Sequence, residues 1–430
     1  MALVKKQEEK GKNTVKPKLN FIKLKMLFPF LKNCLNNFII YIHLCSSIVI
    51  FSFCNEIKRP PIESILLNSL LVVPGAGLER VGVVTSDFGT SGKFAVINPD
   101  AQLAVPTVAN IHSDAVAKFI DGKVFIINRL NRDSILILNP NTGFLPEAEY
   151  SVGKGNNPQD IVKVNDNKAY ITLYNSRNLL VVNPYSGAFI RNIDLGAYTE
   201  TTSLGIAGPD GIPEMSQMYL EGSSLYIQLQ RLDRNDPSGI PTPNSDSLLL
   251  ELNVNTDSVV KTYIFKSRNP TSRMQKITIG SESFLAMCVP NRLGFISKQD
   301  GGIIAFSLTT KTFRNNFLYA ETDAGGDILG MQIKDENEGY ASVLDVSFNK
   351  SIQQFNPTTG QRIKTILNFP ASAGNIAGLL LTKSGRLYMG DGSFSTPGVV
   401  IFDTTKADKP RLTHGNIDVG LRPFDLVELQ

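Results

Sequence analysis

The sequence predicts an all-β fold built from a repeated unit, and three observations lead to it. In this chain of 430 residues, no window after residue 80 keeps the period of a long helix, and short β-branched or aromatic runs recur instead. Asn, Asp, Gly and Pro interrupt these runs repeatedly. The chain also ends in a segment that matches the start of the unit. We therefore predict a seven-bladed β-propeller over residues 80–430.

The repeated unit contains an apolar run that ends in a turn of the Asn-Pro-x-Ser/Thr-Gly kind. Seven copies occur at steps of 41 to 70 residues, and their turns open at Asn98, Asn139, Asn183, Asn253, Ser307, Asn356 and Asp403. Asn or Asp opens such a turn by bonding its side chain to the backbone, and Gly takes the left-handed position. Two further strands precede the apolar run in each copy. Four short antiparallel strands in about 50 residues describe one propeller blade.

The two ends of the body fit together as one blade. The C-terminal segment RPFDLVELQ matches the opening strand NPQDIVKVN of another copy. The N-terminal side begins with RVGVVTS and lacks an opening strand. The C-terminus is therefore predicted to supply the innermost strand of the first blade, which leaves no open edge in the ring.

The segment AYITLYNSRNLLVVNPYSG resembles the YVTN repeat family of seven-bladed propellers. Tyr170, Ile171 and Thr172 match the first three letters of that motif, and Leu173 departs from its Asn. The resemblance spans most of the body and is close over residues 158–197. The absence of Trp argues against ordinary WD repeats and against the docking tryptophans of pyrroloquinoline-quinone dehydrogenases.

The N-terminal part, residues 1–54, is predicted to be a basic leader with a signal-like segment. Its apolar run from Phe38 to Phe53 has 16 residues, shorter than the roughly 20 that span a membrane and nearer to a signal-peptide core. Counted from Met26, a signal that ends at Cys54 has an ordinary length. An uncleaved N-terminal anchor is the alternative, and it would hold the protein at the same membrane.

A cysteine directly after such a core resembles the lipobox of bacterial lipoproteins. In the segment FSFC, Ser52 fits that pattern, whereas Phe53 stands where Gly, Ala or Ser is usual. Cys45 is the weaker candidate, since Leu44 precedes it and apolar residues continue beyond it. The resemblance implies lipidation of Cys54 and an exported protein of the cell envelope, an outer-membrane lipoprotein. The linker is expected over residues 55–79.

Charge is divided between the leader and the body. The chain carries a net charge of +4, but the leader holds nine lysines and two glutamates, so residues 55–430 carry 34 basic and 37 acidic side chains. A body with this balance is not expected to bind nucleic acid. A charged partner of the body is predicted to be cationic. Cys288 is the one cysteine of the body and is interpreted as a buried small hydrophobe.

Polar residues recur near the start of the opening strands, at what the repeat alignment gives as one register. They are Asp114, Asp160, Ser216, Asp327, Asn375 and Asp425, and the blade near Met274 has no clear equivalent. Innermost strands face the central channel of a propeller, so these residues are candidate ligands at one channel mouth for a cation or a basic group. The alternative is that each side chain accepts backbone N–H bonds and joins neighbouring blades.

The 70-residue step between two turns contains an insertion, residues 230–247, rich in Pro, Ser and Asp. We predict that it forms a protruding recognition loop. Asp233, Asn235 and Asp236 faintly resemble a calcium loop but lack its full spacing and its terminal Glu. A three-His zinc site is excluded in the body, which has two histidines.

These features together predict a non-catalytic, membrane-tethered propeller that binds a protein or a small ligand in scaffolding, adhesion or assembly of outer-membrane proteins. No cofactor is expected, with a channel-bound divalent cation as the open possibility. Propeller lactonases and related hydrolases hold one metal in the channel with Glu, Asn and Asp. Their ligand set cannot be placed on this sequence residue by residue, so a metal-dependent hydrolase is the alternative function.

Overall fold

The computed structural model describes residues 79–100, 102–202, 208–239, 241–293 and 298–430. The predicted leader, Cys54 and all of the predicted linker except Glu79 lie outside the described residues. The body is a seven-bladed β-propeller, as the repeats predict. Among the described residues no helix has the length and apolar content needed to cross a membrane.

Each blade is an antiparallel sheet, and its strands follow one another from the channel outward. Blades 1 to 4 contain β27 (Arg422–Glu428), β1 (Val81–Ser86), β2 (Ser91–Asn98) and β3 (Leu103–His112); β4 (Ala115–Ile120), β5 (Lys123–Asn128), β6 (Ser134–Asn139) and β7 (Leu145–Ser151); β8 (Pro158–Asn165), β9 (Lys168–Leu173), β10 (Asn178–Val182) and β11 (Phe189–Asp194); and β12 (Met215–Glu221), β13 (Ser224–Leu229), β14 (Leu248–Asn253) and β15 (Ser258–Ile264).

Blades 5 to 7 follow the same order. They contain β16 (Gln275–Ile279), β17 (Glu282–Val289), β18 (Gly302–Ser307) and β19 (Tyr319–Ala320); β20 (Asp327–Asp335), β21 (Glu338–Leu344), β22 (Lys350–Phe355) and β23 (Arg362–Phe369); and β24 (Asn375–Leu381), β25 (Arg386–Gly392) and β26 (Gly398–Asp403). In blade 7 the outer position is taken by two isolated bridges, Val399 to Ile417 and Phe402 to Arg411. Short helical segments are α1 (Glu321–Ala324) and the 3-10 turns Pro140–Thr142, Gly196–Tyr198 and Ala371–Ala373.

The C-terminal strand closes the ring, which confirms the prediction made from the chain ends. β27 pairs antiparallel with β1, from Val81 opposite Glu428 to Ser86 opposite Arg422. It also contacts β4 and β24, the innermost strands of the two neighbouring blades. A segment at one end of the chain thereby supplies the inner edge of a blade built from the other end.

The seven predicted turns form as their sequences indicate. At all seven positions the side chain of the opening residue accepts a backbone N–H bond two residues on; for Asn183 the distances from the N–H groups of Tyr185 and Ser186 to Oδ1 are both 3.0 Å. Gly187 takes the left-handed conformation with φ of 70°. Because these bonds are local, the turn sequence is sufficient to specify the link between the third and fourth strands.

Buried tyrosines occupy the same position of the second strand in four of the seven blades. Tyr170, Tyr226, Tyr340 and Tyr388 are each fully buried. The Tyr170 hydroxyl donates to Asp257 of blade 4, whose carboxylate also lies 2.6 Å from Lys168 Nζ. Thr172 Oγ1 donates to the Ser216 carbonyl, also in blade 4, at 2.7 Å. The residues that carry the YVTN resemblance therefore hold the interface between two blades.

Candidate binding channel

A cavity of about 610 Å³ lies between the innermost strands. Six of the seven blades line it, through β4, β12, β16, β20, β24 and β27 with residues next to them. Its lining combines apolar side chains such as Leu329 and Met331 with the amides of Gln217, Gln275 and Gln332. The cavity can therefore accommodate a small molecule that has both apolar and polar parts.

Five of the six candidate ligands occupy two registers of the inner strands, rather than the single one that the repeat alignment predicts, and the sixth lies in a bulge. Asp160 lies opposite Thr172, and Asp425 lies opposite the equivalent Val84. Asp327 and Asn375 lie nearer the strand start, opposite Leu344 and Gly392. Asp114 shares that second register, since its carbonyl accepts from the Arg129 N–H. Ser216 falls in a bulge of β12.

Asp160 is almost fully buried and joins three blades. Its Oδ2 accepts from the Met218 N–H of blade 4 at 2.8 Å, and its Oδ1 lies 2.5 Å from Lys118 Nζ of blade 2. The Ile161 N–H also donates to Oδ1 at 2.7 Å. Both oxygens are thus already bound by the protein, as expected if these residues join neighbouring blades.

Asp425 repeats this arrangement in blade 1. Its Oδ2 accepts from the Ala117 N–H of blade 2 at 3.0 Å, so the C-terminal strand is fastened to the next blade. The same oxygen lies 2.7 Å from Nη2 of Arg273. Asp425 is the one member of the six that lines the cavity.

The other candidates also have partners or lie away from the cavity. Asp114 forms an ion pair with Arg129. Ser216 Oγ donates to Gln228 Oε1 at 3.1 Å. Asp327 is buried close to Glu321, and burial together with Asp327 raises the pKa of Glu321 to about 8. Asn375 is exposed at the start of β24.

Arg273 stands in the blade for which the sequence offered no equivalent residue. It precedes β16, and its Nη2 donates to the Ala117 carbonyl of blade 2 at 2.9 Å as well as to Asp425 of blade 1. Burial lowers the pKa of Arg273, but Asp425 and Asp160 outweigh burial and raise it. The guanidinium therefore links blade 5 to blades 1 and 2 and stays charged.

The charged side chains that line the cavity are Arg129, Arg273 and Asp425. The lining itself thus carries an excess of one positive charge. The lining differs from the acidic ring expected from the sequence, because Asp425 is the one candidate carboxylate that lines it and Asp160 is held in contacts between strands. A cationic ligand would meet two guanidinium groups there.

Several buried polar atoms of the lining residues form no hydrogen bond within the described part of the chain. They are Arg129 Nε, Gln217 Oε1 and Thr271 Oγ1. Buried polar atoms usually have a partner, so a further polar group beside the lining would be needed to satisfy these three. Across the described ranges, no three His, Cys, Asp or Glu side chains are grouped closely enough to hold a metal ion.

The insertion after β13 packs against the propeller, whereas the sequence predicted a protruding loop. Arg231, Leu232 and Asp233 are buried, and exposure is concentrated near the tip at residues 237–239. Arg234 explains part of this packing, because its Nε donates to the buried Glu214 Oε1 at 2.7 Å. Burial raises the pKa of Glu214 to about 8, against the opposing effect of Arg234.

The residues that resemble a calcium loop instead stabilise the insertion. The Asp233 backbone pairs with Thr242, and its Oδ1 accepts from the Asn235 N–H at 3.0 Å. Asp236 Oδ2 accepts from Thr242 Oγ1 at 2.6 Å. Their oxygens therefore close the turns of the insertion itself.

No family model and no curated protein matches this chain. Solved structures with similar folds include a dihydro-heme d1 dehydrogenase, NirN, in complex with DHE (12% identity, 86% of this chain and 77% of that one, TM-score 0.52). Another is a putative 6-phosphogluconolactonase from Bacteroides uniformis (14% identity, 82% of this chain and 99% of that one, TM-score 0.52). A third is a protein from Lactobacillus plantarum (10% identity, 82% of this chain and 100% of that one, TM-score 0.55). At these identities the likeness shows the propeller fold alone.

Proposed function

We propose that the protein is an exported, membrane-tethered propeller that binds a small ligand in its channel without converting it. The proposal rests on the observation that the protein itself already binds the carboxylates of two candidate ligands. Asp160 and Asp425 are held by backbone N–H groups and by Lys118 and Arg273, while the cavity beside them keeps unpartnered polar atoms. This arrangement supports recognition of polar groups more than acid-base or metal chemistry.

A variant that fills the cavity tests the proposal. Leu329 lines the channel and is 38% exposed, so Leu329→Trp places an indole in the cavity without removing a hydrogen bond. Leu145→Trp is the matched control, because Leu145 lies on the outermost strand of blade 2 and is 62% exposed. Native mass spectrometry of the full-length protein purified from its own cells should find a small molecule on the wild type and the control, but not on Leu329→Trp. Equal retention by all three proteins would contradict the proposal.

A metal-dependent hydrolase is the second candidate, favoured by the likeness of the fold to a putative 6-phosphogluconolactonase. Under this hypothesis the full-length protein hydrolyses sugar lactones in the presence of a divalent cation, and Asp160→Asn or Asp425→Asn abolishes turnover. Under the binding proposal no lactone is hydrolysed above the rate in buffer. Turnover that is lost in these variants but kept in Asp194→Asn, an exposed ion-paired acid on β11, would favour the enzyme.

The tether is proposed at Cys54, on the basis of the apolar run that precedes it. Mass spectrometry of the mature N-terminus should identify a diacylated Cys54 as the first residue, and Cys54→Ser should release the protein from the membrane fraction. Cys45→Ser is the matched control and should remain with the membrane. An intact, unmodified N-terminal segment would show the uncleaved anchor instead.

A further inference from the structure

A cluster of aromatic and basic side chains lies where blades 7 and 1 meet. Phe88 belongs to the loop between β1 and β2, Phe394 to the loop between β25 and β26, and Arg422 begins β27. The guanidinium carbon of Arg422 lies 4.0 Å from the centre of the Phe88 ring and 5.0 Å from that of Phe394. We call Phe88, Phe394 and Arg422 the rim cluster.

The rim cluster leads into the channel cavity. The rings of Phe88 and Phe424 meet edge to face with centres 6.2 Å apart, and Phe424 lines the cavity. The guanidinium carbon of Arg129 lies 5.5 Å from the centre of the Phe424 ring. Contacts between aromatic and guanidinium groups thus run without a break from the surface loops to the channel wall.

Both phenylalanines of the rim cluster are exposed to an unusual degree. Phe394 is 75% exposed and Phe88 is 47% exposed. They lie at the same end of the sheets, because both loops join the second and third strands of antiparallel blades. Two exposed rings that share contact with one guanidinium group are more characteristic of a contact site than of a solvated loop.

The backbone at Phe88 supports this interpretation. Phe88 has a φ of 58°, which is rare for a bulky residue and costs conformational energy. The loop holds this conformation with local bonds: the Phe88 N–H donates to Ser86 Oγ at 2.9 Å, and the Gly89 N–H donates to Asp87 Oδ1 at 2.7 Å. A strained backbone that presents an apolar ring to solvent points to a role in binding.

Arg422 differs in its charge environment from the two arginines that line the cavity. Arg129 pairs with Asp114, and Arg273 pairs with Asp425. Within the described residues no carboxylate forms an ion pair with Arg422, whose guanidinium contacts the two rings. A planar guanidinium held between rings keeps its edge available to a carboxylate.

We propose that the rim cluster binds an acidic segment of a partner protein in which aromatic residues flank the acids. A carboxylate of the segment pairs with the edge of Arg422, and apolar side chains beside it pack on Phe394 and Phe88. Arginine and aromatic residues dominate the energetics of protein interfaces, which fits this composition. The proposal concerns the outer loops and does not depend on a small ligand in the cavity.

A labelled synthetic peptide of alternating acidic and aromatic residues is the probe, titrated with full-length protein and followed by fluorescence anisotropy. Arg422→Gln and Phe394→Ser should each weaken binding by about tenfold or more. Phe189→Ser is the matched control, because Phe189 is 65% exposed on the outer strand of blade 3. The affinity of this variant for the peptide should equal that of the wild type. Unchanged melting temperatures show that the variants fold.

Three outcomes would overturn the proposal. One is equal binding of a second peptide in which amides replace the acids, since this would remove the role of charge. Another is a dimer of the full-length protein that Arg422→Gln dissociates, which would assign the surface to a second copy of the chain. The third is binding to phosphatidylglycerol vesicles through Arg422 and Phe394 without binding to the acidic peptide, which would assign the surface to lipid.

Discussion

Arg273 and Asp425 are joined across the channel: Nη2 of the arginine lies 2.7 Å from Oδ2 of the aspartate. The arginine precedes the inner strand of blade 5, and the aspartate lies in the C-terminal strand of blade 1. The same aspartate oxygen accepts the Ala117 N–H of blade 2. One carboxylate therefore connects blades 1, 2 and 5, and blade 1 is the blade in which the two ends of the propeller meet.

Replacing Arg273 and replacing Asp425 should have unequal effects on the free energy of unfolding. The Arg273 side chain is 41% exposed, so Arg273→Met is expected to lower the free energy of unfolding by about 0.5–1 kcal/mol. Asp425→Ala should cost about 1–3 kcal/mol, because it also leaves the Ala117 N–H without its acceptor. Urea denaturation of the full-length protein measures both. Equal costs would show that the ion pair, rather than the backbone bond, is the main contribution.

The hydroxyl of Thr172 should contribute to the interface between blades 3 and 4. Thr172→Val keeps the shape of the side chain but removes the 2.7 Å hydrogen bond to the buried Ser216 carbonyl. We expect a loss of about 1–2 kcal/mol in the free energy of unfolding. Thr256→Val is the matched control, since Thr256 is exposed in a turn, and its stability should change by less than about 0.5 kcal/mol. Similar values for the two variants would count against this role of the motif.

Glu251 should make the protein sensitive to acid. Burial raises the pKa of Glu251, but hydrogen bonds from Ser224, Tyr263 and Lys311 outweigh burial and lower it to about 2 from an ordinary value of 4.5. Because the folded-state pKa is the lower one, this stabilisation is present above about pH 4.5 and is lost as the pH falls towards 2.

The measurement for Glu251 is the free energy of unfolding as a function of pH. Glu251→Gln should reduce the slope between pH 4.5 and about 2 and should cost on the order of 1–2 kcal/mol at neutral pH. Glu149→Gln, which breaks an exposed ion pair with Arg132, should cost no more than about 0.5 kcal/mol. An unchanged slope in Glu251→Gln would contradict the assignment.

The C-terminal strand should be required for the closed ring. Deletion of residues 422–430 removes β27, exposes the edge of β1 and takes away the side chains that pack between blades 7 and 2. We expect a protein that self-associates through that edge, as detected by analytical ultracentrifugation. A milder variant, Leu426→Ala, removes a buried side chain of the same strand and should cost about 2–4 kcal/mol. A monomeric deletion variant with native melting temperature would exclude the closure role.

The features predicted correctly from the sequence are those that depend on neighbouring residues. The side chains of Asn183 and its six equivalents accept a hydrogen bond from the backbone two residues on. A few consecutive residues therefore specify each turn. The spacing of these turns then predicted the seven blades, and the match between 422–430 and an inner strand predicted the closure. Repetition made these predictions reliable, because each copy gives the same local information again.

The candidate site was predicted only in part, because a side chain in an inner strand can point into the channel or towards the next blade. Bulges in β8, β12, β20 and β24 shift the register by a residue or more, and those in β8 and β12 contain no glycine that would mark them in the sequence. Asp160 therefore joins blades, while Arg273, which no motif identified, reaches across the channel.

The sequence by itself determined that the chain folds as a seven-bladed propeller and that its last strand completes the first blade. Both follow from local hydrogen bonds and from the need to pair every strand edge. Only the tertiary structure decided which charges face the channel and that Phe88, Phe394 and Arg422 meet at its rim. The physical reason is that ring closure brings together residues from opposite ends of the chain, and their contacts have no counterpart in the order of the sequence.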